Sequence, residues 1–461
     1  MPKKSTLYVM LISFTAALAG LLFGLDTAII SGALKFISQD FQLQHKTYMQ
    51  EYIVSAVLLG AIFGTIWAGW LSKLIGRKLV LMFAGIVFAV GSLLSASAHS
   101  AEMLIIYRVI LGLSVGMAVL ITPIYLSEMA PKERRGGVIT MYQVMVYVGI
   151  LLAFIIDTYF SYTASWRWML GIIAIPAVVM AVLISCLPRS PRWLVMVNYS
   201  DKARAVLKKI REHQSEVKAE LKEIKDAVAI KQSGWHLFFT SKIFRRVIVL
   251  GIILQFMQQF TGINMVLYYA PKVLSLAGLA TTAQQMWATI AIGIVNVIAC
   301  AASIYLVDRW GRKPLMYAGF WGMSISLFGL ALMYYLGPAH GFAIQLLAII
   351  FIMLFLITFA FSAGPIVWIL CAEIFPLNAR DFSMVTAVLT NWICNFILAL
   401  TFLSVLNGAG PVFTFGGFAV INLIGVALIF WLLPETKGVS LEKIEQNLLK
   451  GKRLRDLGEQ A

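Results

Sequence analysis

The sequence predicts an all-α integral membrane protein of twelve transmembrane helices in two pseudo-symmetric halves of six. Three observations point there: apolar runs of membrane-spanning length, basic residues gathered in alternate loops, and motifs that occur twice in the same order. Of the 461 residues, 60% are hydrophobic and 13% are charged, and the mean hydropathy is +0.87. A water-soluble domain of this size needs far more polar surface.

A helix crossing about 30 Å of hydrocarbon needs roughly 20 apolar residues. Runs that meet this begin near Leu7, Tyr52, Leu79, Met103, Val138, Arg167, Val247, Met286, Leu315, Phe342, Phe382 and Val412. The first follows "MPKKST" and continues without a small-residue cleavage site, so it is expected to be a retained helix rather than a signal peptide. Lys3 and Lys4, then Lys73, Arg77 and Lys78, then Lys132, Arg134 and Arg135 mark every second loop. The 189–246 segment, the Arg309, Arg312 and Lys313 group and the tail from Lys437 to Arg455 continue the series, while the intervening loops are nearly bare. By the positive-inside rule both termini and the middle loop of this multi-pass membrane protein lie in the cytoplasm. The net charge of +16 thus reflects topology, and no nucleic-acid partner is implied.

The motifs recur in matched pairs. Glu128-x-x-Pro131-x-x-x-Arg135 follows the fourth span and Glu373-x-x-Pro376-x-x-x-Arg380 follows the tenth; "GRK" stands at 76–78 and again at 311–313; "PRSPRWL" leaves the sixth span and "PETKG" the twelfth. Such self-similarity marks a repeated unit. It divides the chain into a six-helix bundle at 1–187, a cytoplasmic linker at 188–244, a second bundle at 245–434 and a cytoplasmic tail at 435–461. The linker alternates charge at helical spacing, which predicts short amphipathic cytoplasmic helices, serving either as a solvated linker or as a brace for the inner gate. Parallel six-span repeats resemble transporters of the major facilitator type, which hold substrate near the midplane between the halves.

Two charges lie well inside the spans. Asp26 is about 28 Å along the first helix at 1.5 Å per residue, past the midplane, and Arg108 reaches a similar depth on the antiparallel fourth span. An intramembrane acid costs roughly 2.5–3.5 kcal/mol, so it should face a cavity and have a counter-charge. One reading is a static ion pair that sets helix packing. The other makes Asp26 a proton carrier, since burial disfavours its charged form and Arg108 favours it, leaving a balance that a small rearrangement can tip. One proton crossing about 100 mV releases roughly 2.3 kcal/mol, and one pH unit adds about 1.36 kcal/mol.

With those charges assigned to each other, an uncharged solute is favoured. Gln143 on the fifth span, Gln255, Gln258, Gln259 and Asn264 on the seventh, Asn296 on the eighth, and Asn391 and Asn395 on the eleventh offer donor and acceptor together, which suits hydroxyl groups. Unbonded amides in a bilayer are costly, although helix-to-helix bonds also satisfy them. Trp368 and Trp392 can lie flat against a sugar ring. Gly262 and Pro271 flank the seventh-span cluster, as expected where a helix breaks to line a site.

The segments "GLLFGLDTAIISG", "RVILGLSVG", "PIYLSEMAPKERRG", "QQFTGINMVLYYAP", "VDRWGRKP" and "PETKG" together resemble the sugar porter family of the major facilitator superfamily from about Ala17 to Gly458. "SYTASWRWMLG", "TNWICNF" and "NLLKGKRLRDLGEQA" are most similar to its bacterial galactose and arabinose proton symporters. The resemblance implies a proton-coupled importer of a neutral monosaccharide, with Asp26 and Arg108 as the coupling pair. It implies sugar contacts at Gln143, Gln258, Gln259, Asn264, Asn296, Trp368, Asn391 and Trp392, with Phe359 on the pocket wall. Tyr268 and Tyr269 would lie near the outer gate, and Arg77, Glu128, Arg135, Arg312, Glu373, Arg380 and Glu435 at the inner one. Asn391 stands where a xylose symporter has glutamine, which leans the reading toward a hexose or arabinose. Two departures bear on the inner gate: Lys73 and Leu74 stand where the family has an Asp or Asn and a basic residue, and Arg189 stands where it has an acid. Closure on that side should be weaker in the first half, with Arg380 and Glu435 left as the pair in the second.

Other classes find less support. A passive uniporter would share the fold and lack the use of Asp26, and a membrane sugar sensor would carry a long signalling extension. An intramembrane enzyme needs chemistry the spans do not offer: His45, His99, His213, His236 and His340 all fall in loops, without metal spacing or an activated nucleophile. Cys186, Cys300, Cys371 and Cys394 lack metal or redox spacing, so packing is their expected role. The expectation is a monomer with no cofactor, the proton serving as coupling ion.

Overall fold

The computed structural model describes residues 4–131, 135–211, 213–229, 234–337, 341–376, 379–439 and 441–459, all helix and loop with no strand among them. The first six spans are α1 (Lys4–Asp40), α2 (Thr47–Leu74), α3 (Arg77–Ala96), α4 (Ala101–Met129), α5 (Arg135–Ser161) and the pair α6 (Trp166–Gly171) and α7 (Ala174–Cys186). Four short helices follow: α8 (Pro191–Met196), α9 (Ser200–Ile210), α10 (Gln214–Ala229) and α11 (Gly234–Thr240). The seventh span is built from α12 (Lys242–Phe260), α13 (Ile263–Tyr268) and α14 (Ala270–Leu276). Then come α15 (Thr282–Trp310), α16 (Arg312–Leu336), the tenth span as α17 (Phe342–Phe361) and α18 (Ala363–Ile374), and α19 (Arg380–Leu432). The short α20 (Leu441–Leu449) closes the order of α-helices. Eleven of the described helical stretches are long and apolar enough to cross a membrane. The last of these, α19, holds a non-helical Gly410 (φ 82°, ψ 166°) followed by Pro411, which divides it into the eleventh and twelfth spans.

Local chemistry accounts for the ends and breaks. Ser100 Oγ accepts from Met103 N–H at 3.2 Å to open α4, and Thr281 with Gln284 forms a reciprocal capping box on α15. The seventh span breaks at Gly262, whose φ of 89° is left-handed and whose α-carbon sits against the Phe418 ring, leaving no room for a side chain. The tenth breaks at Ser362 (φ −118°, ψ −95°). Within the first half, α2 and α4 pack backbone to backbone at Gly60, Gly64, Gly112 and Gly116, the close approach that small residues allow where lipid supplies no hydrophobic drive.

At the end of the bundle rich in basic residues, the sequence repeat becomes a structural one. Arg77 Nη2 pairs with Glu128 Oε1 at 3.0 Å and Ser190 Oγ donates to Glu128 Oε2 at 2.5 Å. In the second half Arg312 Nη2 pairs with Glu373 Oε1 at 2.8 Å and Thr436 Oγ1 donates to Glu373 Oε2 at 2.5 Å. Each trio ties the GRK loop, the Glu-x-x-Pro motif and the Pro-rich exit of its own half together.

The repeat fails at one place. Glu435 accepts from the N–H groups of Arg312 and Lys313 at 3.1 and 3.0 Å, capping the start of α16, whereas its counterpart Arg189 lies over the Trp193 ring at 4.9 Å. The expected pairing of Arg380 with Glu435 is therefore replaced: the helix N-terminus takes the carboxylate, and Arg380 donates to the Ala372 carbonyl at 2.6 Å. The side chain of Arg135 lies outside the described residues. Lys73, the other departure, sits 3.9 Å from Asp381 across the halves, with both side chains about half exposed.

The linker helices lie against the end of α4. The buried Arg211 donates to the Met129 and Ala130 carbonyls at 3.1 and 3.2 Å and forms a two-point pair with Glu220 of α10 at 2.5 and 2.7 Å. Those carbonyls are the unpaired acceptors of a helix C-terminus, where a cation is favoured.

Asp26 and Arg108 are joined by two further buried acids near the opposite end of the bundle. Glu51 is 2% exposed and Asp157 1%. Asp157 Oδ2 accepts from Gly32 N–H at 3.1 Å.

Candidate functional site

A cavity of about 140 Å³ lies between the halves, walled by α1, α4 and α5 on one side and by α12, α13, α17, α18 and α19 on the other. At roughly 10–15 Å³ per enclosed water it has room for about ten waters, close to the bulk of one monosaccharide. Gln143, Gln258, Gln259, Asn264, Phe359, Trp368, Asn391 and Trp392 all line it. Asn296 is not among the lining residues. It is buried on α15 with neither amide atom bonded, one turn from Gly293, where α15 packs directly on Leu151 and Phe154 of α5.

The amides order one another. Asn391 Nδ2 donates to Gln255 Oε1 at 2.7 Å and to Gln258 Oε1 at 2.8 Å, while Gln258 Nε2 donates to the Ala363 and Gly364 carbonyls at 2.9 and 3.2 Å. The break at Ser362 brings these two carbonyls, in the first turn of α18, within reach of Gln258. Asn264 Nδ2 donates to Gln259 Oε1 at 2.7 Å. Trp392 Nε1, Tyr142 OH and Asn395 Oδ1 belong to residues that line the cavity and have no hydrogen-bond partner among the described residues, each of these atoms being covered by its neighbours in this state. Neutral donors and acceptors, aromatic rings and no formal charge on the lining suit a polyhydroxyl solute.

Asp26 and Arg108 occupy a small separate space beside it. Asp26 Oδ1 lies 3.9 Å from Arg108 Nη1, both side chains buried, and neither of those atoms makes a hydrogen bond. The guanidinium is oriented instead by Nε donating to the Ile53 carbonyl at 2.9 Å. At that separation the two are an ion pair rather than a hydrogen-bonded one. Phe23, Thr27 and Trp392 line both spaces, and Phe23 meets Trp392 edge to face at 5.6 Å. A second link runs through Tyr268, which lines the ion-pair space and accepts from Asn395 Nδ2 at 3.0 Å. Tyr269 points elsewhere, stacking on Phe402 at 5.2 Å and donating to the Ala399 carbonyl at 3.4 Å.

Near the end opposite the basic loops the halves are stitched together. Both carboxylate oxygens of Glu51 on α2 accept from Ser404 of α19, from N–H and from Oγ, at 2.7 Å each. Lys35 Nζ donates to Thr282 Oγ1 at 2.6 Å, Thr158 Oγ1 to the Met286 carbonyl at 3.2 Å, and Trp287 Nε1 to Tyr162 OH at 3.3 Å. The cavity lining instead draws on Pro123, Ala372 and Met384, toward the basic end.

The sequence analysis did not single out Glu51, Thr27, Tyr142 or Tyr147. For the tyrosines a signal existed, since a phenol inside a span needs a partner as an amide does, but a tyrosine in an apolar run also serves as packing.

Residues 12–448 match the model of the "Sugar (and other) transporter" family. The chain is 48% identical to the galactose-proton symporter of Escherichia coli K12 over 447 residues, 97% of this chain and 96% of the relative. It is 45% identical to the arabinose-proton symporter of the same strain over 451 residues, 97% and 95% of the two chains. A solved structure of the proton:xylose symporter XylE, bound to 6-bromo-6-deoxy-D-glucose, superposes with a TM-score of 0.81 at 30% identity, covering 95% of this chain and 98% of that one. The twelve spans in two halves are the major facilitator fold, and the chain belongs to its sugar transporter family, whose members carry solutes across membranes rather than transform them.

Proposed function

We propose that the protein is a proton-coupled symporter that imports a neutral monosaccharide, galactose or a related hexose or arabinose, by alternating access. Its nearby relatives bear the names of galactose and arabinose proton symporters. In this reading the amides and tryptophans of the central cavity bind the sugar and Asp26, tuned by Arg108, carries the proton. Both termini lie in the cytoplasm, the protein acts in the cytoplasmic membrane as a monomer, and no cofactor is needed. Tyr268 and Tyr269 belong to the outer gate and the Arg77, Glu128, Arg135, Arg312, Glu373, Arg380 and Glu435 set to the inner one.

The observation that supports coupling most directly is the shared wall: Phe23, Thr27 and Trp392 border both the sugar-sized cavity and the Asp26–Arg108 space. A sugar that shifts Trp392 or Phe23 thereby alters the surroundings of the acid. The test is sugar addition to vesicles containing the purified protein, with external pH recorded. Alkalinisation on adding galactose or arabinose is expected; sugar entry without any pH change would make it a passive uniporter. Competition of unlabelled sugars against labelled galactose then ranks the substrates.

A further inference from the structure

We propose that Tyr147 sets the size of sugar the cavity admits, a role that rests on the monosaccharide transport proposed above. Tyr147 lies one helical turn from Gln143 on α5, so the two share a face, and both line the cavity. Its hydroxyl crosses the gap between halves: a side-chain carbon placed on Gly364 of α18 would sit 2.9 Å from it and 3.4 Å from the Phe359 ring. A phenol from one half, bare backbone from the other and the Phe359 ring thus close this wall together.

The wall has little freedom to retreat. Gln258 Nε2 holds the Gly364 carbonyl at 3.2 Å, and Gln258 is held by Asn391 at 2.8 Å, so moving α18 away from the phenol disturbs the amides that would read the sugar. Tyr147 itself is only 4% exposed, so its ring is packed on every side but that of the cavity it lines. A hexopyranose exceeds a pentopyranose by one hydroxymethyl group, and a rigid ring at the wall taxes that extra bulk first. The phenol ring is therefore the size limit and its hydroxyl is secondary.

The experiment compares kcat/KM for initial uptake of D-galactose and D-glucose with that of L-arabinose and D-xylose in vesicles, for the wild type and for Tyr147→Phe, Tyr147→Leu and Tyr147→Ala. Removing the ring should raise the hexose-to-pentose ratio about tenfold in the alanine variant, the scale of one methylene-sized misfit, mainly through KM. Leucine should move it the same way by less, and phenylalanine should stay within about twofold of wild type. An unchanged ratio in the alanine and leucine variants overturns the proposal, as does a phenylalanine shift as large as that of alanine. Should the alanine variant fail to fold, the leucine variant decides. A wild type that carries no neutral monosaccharide overturns the transport reading itself, an outcome distinct from active protein whose selectivity ignores Tyr147.

Discussion

Asp26 is buried beside a single guanidinium at 3.9 Å, and the atoms that face each other have no other bond. If that acid carries the coupled proton, Asp26→Asn removes the titratable group and keeps the shape. Sugar-induced alkalinisation and concentrative uptake should then vanish, while exchange of labelled for unlabelled sugar across the membrane persists; loss of exchange as well would mean that Asp26 serves the site structurally. With about 100 mV and one pH unit the wild type can hold a gradient of several hundredfold, whereas the variant should level at unity. Asp26 and Arg108 were legible in the sequence because a charge in an apolar run has few uses. Asn296 was read as sugar-facing because an amide in a bilayer needs a bond, but which face of α15 meets the cavity depends on its packing against α5, and that is not written in residue type. Tyr147 was missed for the converse reason, since an aromatic in a span reads as packing until its hydroxyl is placed.

The GRK, Glu-x-x-Pro and Pro-exit motifs were legible as a repeat, and the structure gives the reason for their spacing: each half closes one Arg–Glu–hydroxyl trio between three elements. The two trios differ in burial. Arg77 and Glu128 are 8% and 6% exposed, Arg312 and Glu373 14% and 23%. Removing one member of a buried pair strands the other, at about 3–5 kcal/mol, and the cost falls as water gains access. Glu128→Gln should therefore lower the unfolding temperature of the detergent-solubilised protein more than Glu373→Gln; equal shifts would show that burial does not set the cost. The break at Gly262 was signalled by glycine. The one at Ser362 had a signal that the sequence analysis passed over, Gly364-Pro365 just after it, where proline supplies no N–H to the preceding turn; Gln258 takes up the Ala363 and Gly364 carbonyls there.

Glu51 illustrates a contact between elements that no local pattern announces. It stands at the start of the second apolar run, where an acid usually faces water, yet its carboxylate grips Ser404 of the other half with both oxygens. Charged acceptors make hydrogen bonds roughly twice as strong as neutral ones. Glu51→Gln loses that charge and turns one acceptor into a donor facing the same groups, so the seal opposite the basic end should loosen. A cysteine placed at Leu58, which is buried and lines the Asp26–Arg108 space, should react with a membrane-impermeant thiol reagent from that side several times faster in the Glu51→Gln variant than with Glu51 intact. Equal rates would leave the contact without a part in closure.

Across the whole molecule the seals are unequal. The end opposite the basic loops is joined by five sets of polar contacts between the halves, Asn407 Nδ2 donating to Thr47 Oγ1 at 3.4 Å being the fifth, while at the basic end the ion pair seen between them among the described residues is the half-exposed Lys73 and Asp381. The two halves also differ in how they finish that end. In the second, Glu435 caps the start of α16 through two backbone N–H groups; in the first, the same place in the motif holds Arg189, a cation near the start of α3, where the helix dipole favours an anion. Arg189→Glu would supply that anion to the N–H groups of Arg77 and Lys78, worth about 0.3–1 kcal/mol at an exposed site. The cap would also anchor the loop after the sixth span to the GRK turn, as its counterpart is anchored after the twelfth. Alternating access turns on small free-energy differences between states, and about 1 kcal/mol shifts such an equilibrium several-fold. The variant should therefore spend less time open toward the basic end. With Met384→Cys reporting from the cavity and the exposed native thiol removed by Cys186→Ser, labelling from that side should slow several-fold when Arg189→Glu is added. An unaltered labelling rate would mean that the missing acid has no hold on the gate, and that the looser closure at this end comes from Lys73 and Leu74 instead.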